Sequence, residues 1–84
     1  DKAVFALEKS IALNPQDEKT YFNLAIVLWH LKRKDETISA LQKAVEINPQ
    51  YVKARTKMCD VWLASNQANK AVGCYEKLFS STPK

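Results

Sequence analysis

The 84 residues hold 13 basic and 9 acidic side chains, three prolines, two cysteines, one histidine and a single glycine. One small domain at most fits this length, burying only about 60% of the surface its unfolded chain exposes, and the scarcity of glycine excludes dinucleotide fingerprints, phosphate-cradling loops and runs of tight hairpins. Two cysteines outside a C-x-x-C spacing build no disulfide framework and read as reduced thiols of a cytoplasmic protein, while no apolar run approaches the ~18 residues of a membrane span and no signal peptide is read.

The prolines organise the chain. Pro15, Pro49 and Pro83 are separated by 34 residues both times. The first two close near-identical segments, Ala6-Leu7-Glu8-Lys9-Ser10-Ile11-Ala12-Leu13-Asn14-Pro15 and Ala40-Leu41-Gln42-Lys43-Ala44-Val45-Glu46-Ile47-Asn48-Pro49. Self-similarity at such a fixed period marks a stacked repeat protein.

In chain order, the first predicted helix covers residues 2–13. Its apolar residues surround the helix instead of lining one stripe, so it is expected to be covered on two sides. Asn14 precedes Pro15, which pushes it out of helical conformation and ends the helix. A second helix over 18–31, with Asp17 as N-cap, shows helical spacing in Tyr21, Leu24, Leu28 and Leu31. After the polar break Lys32-Arg33-Lys34, a third runs over 35–47 with Asp35 as its expected cap, ending at Asn48 before Pro49. A fourth spans 52–64 with Val52, Met58, Val61 and Trp62, followed by the break Ser65-Asn66-Gln67. The fifth spans 69–80, and Val72, Tyr75, Leu78 and Phe79 on it have no polar capping helix after them. The chain therefore parses as 1–17 (the second helix of a truncated repeat), 18–51 (a complete repeat) and 52–84 (a near-complete one). Stacks with open apolar ends need capping, so a piece of a longer array is expected, with self-association through the open ends as the other outcome.

A 34-residue helix–turn–helix unit resembles the tetratricopeptide repeat (TPR), whose pattern is W-x2-L-G-x2-Y, then A-x3-F, then P. The middle unit supplies Tyr21-x2-Leu24-Ala25-x2-Leu28, Thr37-x3-Leu41 and Pro49. The last supplies Arg55-x2-Met58-Cys59-x2-Trp62, Ala71-x3-Tyr75 and Pro83. Ala25 and Cys59 stand where the family has glycine, and Arg55 stands where an aromatic is usual. The resemblance implies an all-α TPR solenoid of about five helices. It also implies that the first helix of each unit lines a concave, peptide-binding face.

On that implication the binding face holds Lys19, Phe22, Asn23, Ile26, Trp29 and His30, with Lys53, Thr56, Lys57, Asp60, Leu63 and Ala64 one unit on. Phe22, Ile26 and Trp29 form an apolar stripe, and Lys53 and Lys57 share a helical face. Net charge is −1 over 1–17, +1 over 18–51 and +4 over 52–84. That excess favours an acidic peptide or a carboxylate terminus. Asn23, Lys53 and Lys57 match three places of the carboxylate clamp found in co-chaperone TPR domains, with lysine at 57 in place of the usual arginine.

Three functions stay open: a scaffold or adaptor binding a protein segment or a neighbouring subunit of a larger complex, a carboxylate-clamp co-chaperone, or the regulatory TPR arm of a larger enzyme. The basic stripe is too narrow for nucleic acid, and a lone His30 makes no zinc site. Cys59 is placed at the tight helix–helix contact and Cys74 at the next interface, with no catalytic Cys–His pairing. No enzymatic constellation and no cofactor are read.

Overall fold

The computed structural model describes residues 2–80, with the side chains of Phe79 and Ser80 left aside. The expectations at Pro83 and for the Phe79 side chain lie outside the described residues. Five helices follow in order: α1 (Lys2–Leu13), α2 (Glu18–His30), α3 (Lys34–Ile47), α4 (Val52–Ala64) and α5 (Ala68–Ser80). The starts of α2 and α4, and those of α3 and α5, lie 34 residues apart, so backbone and sequence share one period. Among the described residues none of these helices is long and apolar enough to cross a membrane.

Helix ends follow from local chemistry. The Asp17 carboxylate accepts from the Lys19 amide at 3.1 Å and from the Thr20 hydroxyl at 3.0 Å, capping α2 as expected. Asn48 is extended, ends α3, and its side-chain oxygen takes the Gln50 amide at 3.1 Å. Asp35 is not the cap of α3. It sits in the first turn, and the capping position is Arg33, which makes no side-chain cap bond. Arg33 instead grips Glu36 with two bonds of 2.7 and 2.6 Å, and the Thr37 hydroxyl donates to the Arg33 carbonyl. Asp35 and Glu36 still place negative charge at the positive end of the helix dipole.

The polar breaks close α2 and α4 in one way. The Lys32 amide bonds to the Trp29 carbonyl and the Arg33 amide to that of Leu28; Asn66 and Gln67 repeat this onto Leu63 and Trp62. These are Schellman closures, which need a left-handed residue usually supplied by glycine. Here Lys32 (φ 62°) and Asn66 (φ 63°) fill that place.

Neighbouring helices pack in sequence, with α2 most closely on α3 and α4 on α5. The core is continuous through Leu24, Ala25, Leu28, Ile38, Leu41, Ala44, Ala54 and Val61. The described helices extend over 37 × 28 × 14 Å, a flat stack. Among the described residues α2 covers one side of α1, and the other side expected to be covered is exposed. Val4 is buried, whereas Phe5 and Leu13 are 62% and 88% exposed, and α2 is the helix that packs closely on this one among the described residues.

The cysteines also depart from the expectation of reduced thiols. Cys59, with no exposed surface, is disulfide-bonded to Cys74, their Cα atoms 5.4 Å apart. The physical reason lies in the pairing of α4 with α5: the small-residue place on α4 faces Cys74 at a separation within bridging range. Disulfides persist in oxidising compartments, so these cysteines no longer argue for a cytoplasmic setting.

Two stability measurements follow. Lys32→Gly is expected to raise stability by about 0.5–1 kcal/mol, the relief of a left-handed lysine exceeding the entropy glycine adds to the unfolded chain. A urea midpoint equal to or below that of the parent chain would contradict the closure geometry. Replacing both cysteines by alanine, the residue at the matching places 25 and 40, should lower stability by about 3 kcal/mol for a loop of this length. Parent and variant denatured side by side without reductant give the comparison.

Candidate functional site

The starts of α2 and α4 lie side by side and enclose a trough. Lys19, Phe22, Asn23, Tyr51, Val52 and Lys53 line one hollow of 480 Å³. Phe22, Val52, Lys53, Thr56, Lys57 and Asp60 line a second of 280 Å³. Sharing Phe22, Val52 and Lys53, the two are continuous.

Seven of the twelve residues expected on the binding face therefore converge: Lys19, Phe22, Asn23, Lys53, Thr56, Lys57 and Asp60. Trp29 joins them through Lys57, whose ammonium lies 5.9 Å from the indole centroid. It also lines a further hollow with His30, Lys32, Lys34, Ala64 and Ser65. Ile26 is half-buried one turn from Phe22 and lines neither hollow of the trough.

Each side chain is held by the local fold. The turn at Asn48-Pro49-Gln50 delivers Tyr51 onto Phe22, their ring centroids 5.5 Å apart and the planes tilted by 49°. The Asn48 amide group donates to Glu18 at 3.0 Å, tying the end of α3 to the start of α2. Glu18 is thereby occupied, and Asp17 is occupied by its capping bonds, which leaves the lysines to set the charge at this end. Asp60 opposes them further along, although its carboxylate accepts the Tyr75 hydroxyl from α5.

Two phenols register this environment. Tyr75 is held above the usual tyrosine range, chiefly because its hydroxyl donates a hydrogen bond to the Asp60 carboxylate, then by burial and by the Asp60 charge. Tyr51 is raised by burial first, then by the charges of Glu18 and Asp17.

Tyr51 and Val52 are the lining residues that the helical pattern alone missed. Val52 is 55% exposed at the mouth of the trough. Both follow Asn48-Pro49-Gln50 directly. A turn that ends one unit and opens the next must project its following residues into the seam between first helices, and that was the available signal.

A family model described as tetratricopeptide repeat matches residues 1–82. Among solved structures, a crystal structure of MamA superposes with a TM-score of 0.85 at 29% identity, over 95% of this chain and 47% of that one. A second, titled crystal structure of MamA protein, gives 0.83 at 28% identity over 92% of this chain and 42% of the other. MamA 41-end from Desulfovibrio magneticus RS-1 gives 0.84 at 23% identity over 88% and 42%, a likeness that shows the fold alone. The present chain spans less than half the length of these relatives. No curated protein matches it.

The Asp60–Tyr75 bond is testable by titration. Asp60→Ala should bring the Tyr75 phenol down toward the ordinary value near ~10, read from the ring carbon shift with Tyr75→Phe as assignment control. Because the folded-state pKa is raised, the bond stabilises the fold below the unfolded tyrosine pKa. That contribution is lost as pH rises through the higher folded value. An unmoved Tyr75 titration in Asp60→Ala would mean the bond does not form in solution.

Proposed function

The chain belongs to the tetratricopeptide repeat family, and on that premise we propose that it is a non-catalytic protein–protein interaction module whose α2–α4 trough receives an extended segment of a partner. One observation carries the reading: a single trough combines amide and ammonium donors (Lys19, Asn23, Lys53, Lys57) with the apolar surfaces of Phe22 and Val52. An extended peptide presents carbonyls along its length and side chains to alternating sides, and that mixture serves both. Trp29 is the terminal anchor, its ring polarised by Lys57, and buried aromatics of this kind dominate binding energy when engaged.

The carboxylate-clamp reading is favoured by the shared hollow of Lys19, Asn23 and Lys53, with Lys57 adjoining. In that reading the two lysines meet a terminal carboxylate as point charges while Asn23 donates its amide. Asp60 in the same trough weighs against a ligand that is acidic along its whole length. The scaffold reading therefore stands first.

Peptides selected from a displayed random library against the 84-residue chain test it. Selected peptides are expected to shift the amide signals of Asn23, Lys53 and Lys57, and Trp29→Ala should weaken them by about 30-fold or more. A selection in which no peptide touches the trough rejects the proposal. For the clamp, an acidic pentapeptide as free acid should bind about tenfold or more tightly than its C-terminal amide, with the preference lost in Lys53→Ala. Equal affinity of the two forms rejects the clamp and leaves the scaffold reading intact.

A further inference from the structure

Residues on α4 leave the helix in two opposed directions. Lys53, Thr56, Lys57 and Asp60 face the trough, whereas Arg55 and Met58 project about half a turn away from them. On that other side α3, α4 and α5 enclose a hole of 360 Å³ lined by Val45, Arg55, Met58, Lys70, Gly73, Cys74 and Lys77. Its size falls in the range of small-molecule sites, roughly 300–1,000 Å³. Its floor is apolar, and no acidic side chain is among its lining residues.

The repeat itself provides the control. One unit back, the places of Arg55, Met58, Lys70 and Gly73 are held by Tyr21, Leu24, Glu36 and Ser39. Tyr21 packs half-buried against the core, and Leu24 is 8% exposed, so that seam is filled. In the last unit the aromatic is gone. Arg55 folds back to donate to the Pro49 carbonyl at 3.2 Å, which uses one N–H of its fork, and Met58 is half-buried on the core where its counterpart Leu24 is buried. Charge changes as well: Glu36 is bound by Arg33, but its counterpart Lys70 holds its ammonium 4.6 Å from the Trp62 ring centroid.

Gly73 is the second observation. A glycine inside a helix costs about 1 kcal/mol relative to alanine. Its φ is not positive, and a Cβ built there meets nothing within 4 Å. Neither backbone conformation nor packing among the described residues requires it. The matching Ser39 is exposed even though α4 follows α3, so this side of the helix does not turn toward the next element. What the missing side chain does is leave the hole open.

We propose that this hole is a binding site for a small amphipathic carboxylate. Its apolar body lies on Met58, Val45 and the bare backbone at Gly73. Its head group meets the guanidinium fork of Arg55, which matches a carboxylate in a bidentate manner, and the Lys70 ammonium. Arg55 keeps its bond to Pro49 through one N–H and offers the rest of its fork, while the Lys70 ammonium turns from the Trp62 ring to the head group. This site is separate from the peptide trough and does not depend on its function.

The test titrates decanoate and decan-1-ol, both below their self-association limits, against the 84-residue chain. Amide and methyl NMR signals of Gly73 and Met58 serve as reporters. Decanoate is expected to shift these signals at least tenfold more tightly than the alcohol. Gly73→Leu should abolish the response. Arg55→Tyr, which installs the residue of the middle unit, and Lys70→Glu, an exposed change that spares the core, should each weaken it at least tenfold. Gly73→Ala should raise the thermal midpoint, since the glycine serves no packing need. Equal binding of the alcohol, shifts as large at exposed Phe5 and Leu13, or an unchanged response in Lys70→Glu would overturn the site. An acidic amphipathic peptide that shifts Gly73 while decanoate does not would also overturn it, in favour of a protein contact.

Discussion

How closely two helices of a pair can approach governs the rest of this molecule. Ala25 on α2 and Cys59 on α4 have no exposed surface, and their side chains are small enough to let α3 and α5 lie against them. A larger residue at either place would push that pair apart, widen the seams beside it and loosen the packing around Leu41 or Val61. Because each unit touches only its neighbours, the stack has no deeper layer to absorb the error. The trough between α2 and α4 is defined by the same spacing, since the two first helices are held side by side only while each sits tightly on its own partner.

Helix positions were legible because three independent signals agree in this chain. Apolar spacing of three and four, Asn-Pro terminators and the 34-residue period all mark the same ends, and the helices start and stop within a residue or so of expectation. Where one signal stood alone, it failed. Asp35 looked like a cap by residue type, but the Schellman closure after α2 uses Lys32 and Arg33 and starts α3 before Asp35 is reached. Spacing within each helix could not show that Arg33 and Glu36 would pair instead. The apolar surround of α1 correctly marked a helix, yet could not say how many neighbours would cover it.

The site divides along the same line. Lys19, Phe22, Asn23, Lys53, Lys57 and Asp60 could be placed together because a helical face and a repeat offset are enough to bring them to one seam. Their occupancy by other partners could not be read, since the Tyr75–Asp60 and Asn48–Glu18 bonds join residues 15 and 30 positions apart. The disulfide was within reach in principle. Moving Cys59 and Cys74 back one period gives Ala25 and Ala40, both buried. Two cysteines at places where small residues are buried in the same unit are candidates for a covalent pair, whatever their spacing in sequence.

That bond also gives the stack a direction. A linear array opens from whichever end is least secured, and here the ends differ in kind. Within the 84 residues, α1 packs mainly on α2 with Leu13 almost fully in solvent, whereas α4 and α5 are joined covalently. In the 84-residue chain fraying should therefore run from α1 toward the cross-link, with amide protons of α1 exchanging soonest and those around Cys59 last. A reducing environment would remove that cross-link and leave packing alone to hold α4 and α5 together, so the order in which the helices come undone depends on the redox state of one pair of sulfur atoms.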